Sequence, residues 1–236
     1  MTKVMLDPGH GGNDPGALGN NGLHEADVNL SVAKLVTGIL APVADVQMTR
    51  YTDTALGAIE SIDLTARANA ANTWSADVFV SIHCNSSMHV SAAGTETFYY
   101  LGSIKGTMLS KAIHTKLIAA TALPDRGIKA GNFAVLRQTN MPACLVEIAF
   151  ISNPAEEALL MLSTFQALVA GAIAAGIADY LGLKLPAQSA GPAASAWAKN
   201  SWAKAVAAGV FDGSNPQGQL TREQAAVVLD RLGMLK

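Results

Sequence analysis

The stretch Val4-Met5-Leu6-Asp7-Pro8-Gly9-His10-Gly11-Gly12 decides how the rest of the chain is read. Its apolar start reads as a short buried strand, and the glycines beyond it read as a sharp turn. His10 is thereby placed at a rigid strand end, facing open space. Sites in open α/β sheets form outside the carboxyl ends of the strands. Two further polar groups hold comparable positions. His83 ends the strand Asp77-Val78-Phe79-Val80-Ser81-Ile82, and Glu147 lies near the end of Ala143-Cys144-Leu145-Val146-Glu147-Ile148. With Glu25, these groups are expected to build a hydrolytic zinc site. Such a site needs nitrogen, sulfur or carboxylate ligands, an open position for water, and a carboxylate that is not a ligand to move protons.

Outward from that strand, residues 9–22 are loop, rich in Gly and Asn. A helix starts near Glu25, with Val28, Val32, Leu35, Val36 and Ile39 on one face, and Pro42 stops it. Val46–Arg50 alternates as a half-buried strand. Leu56–Trp74 reads as a second helix, with Ile59, Ile62, Ala66 and Ala70 on its apolar side and Arg67 and Asn69 elsewhere. The apolar run before His83 suggests a central strand covered on both faces. Gly94–Tyr100 is a strand, Lys105–Ala120 a helix, Pro124–Gly131 a turn-rich loop carrying Arg126 and Lys129, and Phe133–Arg137 a short strand. After the Glu147 strand, Asn153 suits an N-cap and Pro154 a first helical turn, and a last long helix runs from about Ser163 to Leu181. This alternation predicts an α/β fold with a largely parallel sheet between helices.

Half of the 236 residues are apolar and 14% are charged, which predicts a well-cored globular protein. A net charge of −2 gives no reason to expect nucleic acid or an anionic membrane as partner. The Ala-rich run from Phe165 to Leu181 carries Gln166 and Asp179 and fits a packed helix better than a membrane span. The N-terminus passes straight into a strand, so no signal peptide is expected. The protein then stays in the cytoplasm or leaves by a route its own sequence does not encode. Cys84 and Cys144 read as buried free thiols.

Composition shifts at Leu185-Pro186-Ala187-Gln188-Ser189-Ala190-Gly191-Pro192. The expected organisation is a catalytic domain over 1–182, a Pro/Ala/Ser/Gly linker over 183–195, and a small helical domain over 196–236. That last domain reads as two short amphipathic helices around the turn Phe211–Pro216, the second opened by a capping box at Thr221.

The residues leave alternatives open. His24 competes with Glu25 as a ligand. Glu25 and Asp27 could equally complement a helix dipole. His89 lacks the strand-end setting, and His114, within a helix, reads as a surface residue. Glu147 shares a strand face with Ala143, Leu145 and Ala149, where a carboxylate is costly without compensation. A salt bridge to Arg126 or Arg137 would be the plain structural account.

Four ordered strings carry a resemblance: Leu6-Asp7-Pro8-Gly9-His10-Gly11-Gly12, Gly22–Leu30 with His24-Glu25, Ser81-Ile82-His83-Cys84-Asn85-Ser86, and Leu145–Pro154 with Glu147. Together they resemble the zinc-dependent N-acetylmuramoyl-L-alanine amidases of the amidase type 3 family, over residues 1 to 182. The resemblance implies a twisted mixed sheet of about six strands flanked by helices. It implies one zinc ion per catalytic domain on His10, Glu25 and His83, and Glu147 as the catalytic glutamate. Peptidoglycan would be the substrate, cut between N-acetylmuramic acid and L-alanine. Segments with Glu96 and with Arg126–Lys129 also resemble the family without a firm role. Cys84 and Ser86 depart from its usual small residues. Arg126 or Arg137 could grip a carboxylate of the stem peptide.

The segments Trp202-Ala203, Ala208–Gly213 and Leu220–Ala226 resemble a single S-layer-homology repeat. A secondary cell-wall polymer, or self-association through 196–236, is the expected use. A leaderless chain with a wall-directed tail resembles a phage or prophage endolysin, made in the host cytoplasm and acting on the wall after release. A bacterial autolysin, a zinc peptidase acting within the stem peptide, and a non-catalytic wall-binding protein are the alternatives.

Overall fold

The computed structural model describes residues 1–186, 195 and 198–207. Its chain divides into two compact units, Met1–Leu185 and Pro186–Lys236. The first unit holds the strands β1 (Lys3–Pro8), β2 (Asp45–Met48), β3 (Val78–Asn85), β4 (Thr95–Tyr99), β5 (Asp125–Ala130) and β6 (Ala143–Phe150). Its helices are α1 (Glu25–Leu40), α2 (Glu60–Trp74), α3 (Ile104–Thr121), the single-turn α4 (Ala134–Arg137), α5 (Pro154–Leu160) and α6 (Ser163–Leu181).

The six strands make one sheet in the order β2-β1-β3-β6-β4-β5. All neighbours are parallel except β4 and β6, which run antiparallel. This is the α/β fold and largely parallel sheet that the alternation implies, and the mixed sheet of six strands that the resemblance implies. The strand ending at His83 is indeed central, between β1 and β6.

Strand alternation sorts the apolar residues onto two faces. Val4, Leu6, Val80, Ile82, Val146 and Ile148 join the larger core, with α1, α3 and α6 packed over it. Met5, Phe79 and Leu145 point the other way and meet Ala71 of α2 and Val135 and Leu136 of α4. The long apolar helix α6 lies against α3 and α1. A Cβ on Gly176 would come within 2.4 Å of the Ile113 Cα, so only glycine lets α3 and α6 approach this closely. A packed helix, as expected from Gln166 and Asp179, accounts for its length and apolarity. At the start of α5, the Asn153 side chain accepts from the Ala155 and Glu156 amides, with Pro154 in the first turn.

Five readings are corrected. Residues 125–130 are not loop but the edge strand β5. Thr95 pairs with Asp125 and Thr97 with Ile128, so two residues, Arg126 and Gly127, face one. That bulge breaks the alternation by which a strand is recognised, and the charges suit an exposed edge. Phe133–Arg137 is not a strand: Ala134–Arg137 forms one helical turn that buries Val135 and Leu136 together. A run this short has no period to read.

The inward side of α2 is not the isoleucine side. Ile59 and Ile62 are exposed, whereas Arg67, Ala68 and Ala71 are buried. Buried acceptors from another part of the chain draw Arg67 inside. His114 is not on the surface either. It is buried on α3, with Nδ1 3.1 Å from the Thr97 hydroxyl and Nε2 2.8 Å from Asp125. Ala149, expected on the Glu147 face, joins the larger core with Ile148, where the β3–β6 register shifts between His83 and Asn85.

In the second unit, α7 (Lys199–Ala207) is helical. Trp197, the turn at Phe211–Pro216 and the capping box at Thr221 lie outside the described residues.

Candidate metal centre

Three strand ends and one helix start converge at the carboxyl edge of the parallel strands. β1 delivers His10, β3 delivers His83, β6 delivers Glu147, and the first residue of α1 is Glu25. His24, one residue earlier, is the N-cap of α1, with its side chain exposed and not capping the helix. The helix start therefore turns Glu25 inward and His24 outward.

Glu25 is buried at the centre of the cluster. Its Oε1 lies 3.2 Å from His10 Nε2 and 2.9 Å from His83 Nδ1, and accepts the Cys84 amide at 3.0 Å. Its Oε2 accepts the Ala17 amide at 2.9 Å. One donor atom from each of His10, Glu25 and His83 lies within 4.8 Å of the others. The two imidazoles meet edge to face, 4.9 Å between centroids. The other ring nitrogen of His10, Nδ1, sits 2.7 Å from Asp14, which fixes that ring's orientation. Cys84 is buried, with Sγ 3.7 Å from the Asn29 side-chain oxygen, and burial raises its thiol well above the ordinary range. It offers no thiolate.

The electrostatics favour positive charge at His10. Burial alone would lower His10, but hydrogen bonding and charge from Glu25, then Asp14, raise it to about 9. Burial alone would raise Glu25, yet its bonds to His10 and His83 bring it well below the usual carboxylate range.

Glu147 is different. It stands opposite His83 across β3–β6 and opposite Glu96 across β6–β4. Its Oε2 is buried with no hydrogen-bond partner among the described residues. Burial, followed by the charges of Glu25 and Glu96, raises it well above the ordinary carboxylate range. The plain salt-bridge account fails. Arg126 donates to Glu96 at 3.2 Å and lies over the Phe150 ring, and Arg137 bonds Asn132. Lys129 and Asn85 complete the partners of Glu96, whose carboxyl is held below its usual range despite burial.

Glycines make room for the donors. A Cβ on Gly9 would sit 2.1 Å from the His83 ring. Beside the cluster opens a cavity of about 450 Å³, lined by Gly9, His10 and His83 together with Ala55, Ile59 and Val135.

Sequence reasoning missed the supports. Asp7 is buried and accepts from Thr49, Ser81 and Arg67. Arg50 and Arg67 are buried beneath the turn at Pro8–His10. Asp7 could have been noticed as an acid inside an apolar run. The arginines carry no local signal, because their partners are about forty and sixty residues away.

A family profile described as N-acetylmuramoyl-L-alanine amidase matches residues 4–179. The chain belongs to the N-acetylmuramoyl-L-alanine amidase family. The amidase is 38% identical over 194 residues to the sporulation-specific N-acetylmuramoyl-L-alanine amidase of Bacillus subtilis, covering 80% of this chain and 72% of that one. It is 40% identical over 201 residues to the endolysin of Bacillus phage SPP1, covering 81% of this chain and 71% of the relative. Its fold matches the catalytic domain of the amidase CwlV from Bacillus (Paenibacillus) polymyxa var. colistinus, with a TM-score of 0.73 and 41% identity over 78% of this chain and 100% of that one. The matched span runs from β1 into α6 and contains all four convergent side chains, whereas α7 lies beyond it.

Proposed function

We propose that the amidase hydrolyses the amide between N-acetylmuramic acid and L-alanine in peptidoglycan, with zinc on His10, Glu25 and His83 and with Glu147 as general base and acid. Family membership supports the reaction. The observation that carries the assignment of residues is a donor trio beside a carboxylate whose buried Oε2 has no partner among the described residues. Two nitrogens and one oxygen converging on a small space fit zinc, which takes such ligands at roughly 2.0–2.2 Å and keeps a fourth position open in hydrolases. Held there, zinc would supply an electrophile that polarises the scissile carbonyl and acidifies water.

The chain's own groups do the rest. Glu25 balances charge and, through its bonds to the Cys84 and Ala17 amides, keeps one orientation. Asp14 holds the His10 ring. Glu147 takes a proton from the attacking water and returns it to the amide nitrogen as the C–N bond breaks. The products are a lactyl carboxylate on the sugar and a free amino end on L-alanine. The place of Glu147 opposite His83 on the adjacent strand puts that carboxylate beside the donor trio, where a proton carrier is needed.

The wider setting extends the same reading. Residues 196–236 would bind a wall polymer or pair two chains, a reading supported by the S-layer-like strings around Trp202. The similarity to the phage SPP1 endolysin supports a lytic role from inside a host cell. Digestion of purified walls with and without chelator, with products identified by mass, tests the central reading. New L-alanine amino ends, lost with chelator and restored by zinc, are expected. Free amino ends only within the stem peptide would overturn it in favour of a peptidase.

A further inference from the structure

The exit from β1 is unusual in where its carbonyls go. The Pro8, Gly9 and His10 carbonyl oxygens are not left to water. Arg50 donates from Nε to Pro8 at 2.9 Å and from its Nη2 to Gly9 at 2.9 Å. Arg67 donates from Nη1 to Pro8 at 2.8 Å and from Nη2 to His10 at 2.8 Å. Both guanidiniums are buried. Arg50 also donates to Ala26 at 2.8 Å, which ties the turn to the start of α1 beside Glu25. Arg67 is neutralised by Asp7 at 2.9 Å and by Asp63.

His10 sits at the end of this clamp with φ of 62°, the left-handed region. For a residue other than glycine that conformation costs of order 1–2 kcal/mol, so something outside the residue must hold it. The Arg67–His10 carbonyl bond reaches that same residue. Buried carbonyls need donors, and a planar fork can serve several at fixed angles where an ammonium cannot.

We propose that Arg67 is a positioning residue: with Arg50 behind it, it locks the Pro8–His10 turn so that His10 is already aimed at the metal position before metal arrives. This rests on the zinc reading above. Arg67 touches the backbone of the turn, and its effect reaches the ligand set through His10. Supports of this kind typically change metal affinity by about 10–100-fold.

The test is zinc affinity of the metal-free full chain, measured by competition with a chromophoric chelator, together with the visible spectrum of the cobalt-loaded protein. Arg67→Lys keeps the charge and loses the fork. It is expected to weaken zinc at least about tenfold and to alter the cobalt spectrum. Asp63→Asn loosens the outer edge of the same cluster and is expected to weaken zinc about threefold or more, so the idea stays testable if Arg67→Lys fails to fold. Leu117→Ala, a cavity in the larger core, is the control: it should lower Tm and leave zinc affinity alone. Folded Arg67→Lys or Asp63→Asn protein that binds zinc as tightly as the parent would overturn the proposal. Parent protein that binds no zinc would instead sink the zinc reading itself.

Discussion

His83 and Glu147 occupy facing positions on adjacent parallel strands, and among the described residues they differ in their partners. His83 reaches Glu25, while Glu147 Oε2 is buried and unbonded. Leaving a buried polar atom such as Glu147 Oε2 without a partner costs about 1–3 kcal/mol. A group retained at that cost beside a donor trio is the candidate proton carrier.

Replacing Glu147 therefore separates chemistry from metal binding. Glu147→Ala is expected to keep zinc and lose at least about a hundredfold in kcat, the scale of an acid–base group. Metal content by mass spectrometry, measured beside turnover on walls, checks both halves. Turnover near that of the parent removes Glu147 from the mechanism.

Metal-free protein has a pH dependence whose sign follows from His10 and Glu25. His10 is raised from 6.5 to about 9. Its stabilising contribution is whole below 6.5 and disappears as pH rises through about 9. Glu25 is lowered from 4.5, so its contribution is whole above 4.5 and is lost only in strong acid. The metal-free Tm is expected to be highest between about 4.5 and 6.5 and to fall by a few degrees toward pH 9. Zinc must displace the His10 proton, so its apparent affinity is expected to rise over the same interval. Calorimetry with and without zinc across that range checks both trends.

Gly9 is required by the His83 ring and not by its own backbone angles. Its added Cβ would lie 2.1 Å from the ring. Gly9→Ala is expected to cost about 1–3 kcal/mol through overpacking and to weaken zinc, because His83 must swing away. Thermal unfolding and zinc titration of the variant test this.

The exposed isoleucine side of α2 gives a simple check on the fold. Ile62→Lys is expected to change stability by no more than about 0.5 kcal/mol, as for an ordinary surface site. A loss of several kcal/mol in urea unfolding would mean that this face is covered.

The legibility of the site differs residue by residue. His10, His83 and Glu147 were visible because each ends an apolar strand, and strand ends on one edge of a parallel sheet are brought together by topology. Glu25 could not be separated from His24 by its residues alone. The α1 N-terminus places the Glu25 side chain inside and the His24 side chain outside. The bulge at Arg126–Gly127 hid β5, and a single helical turn imitated a strand at Phe133–Arg137.

By itself the sequence determined the alternation of strands and helices, the central place of the His83 strand, and the set of polar side chains at the strand ends, because these follow from period and local turn chemistry. Only the tertiary structure decided which way α2 faces, why Arg50 and Arg67 are buried, and that Glu147 Oε2 is buried with no hydrogen-bond partner among the described residues. Those outcomes depend on partners about forty to sixty residues away, or across the sheet, and no local pattern in a chain encodes a distant acceptor.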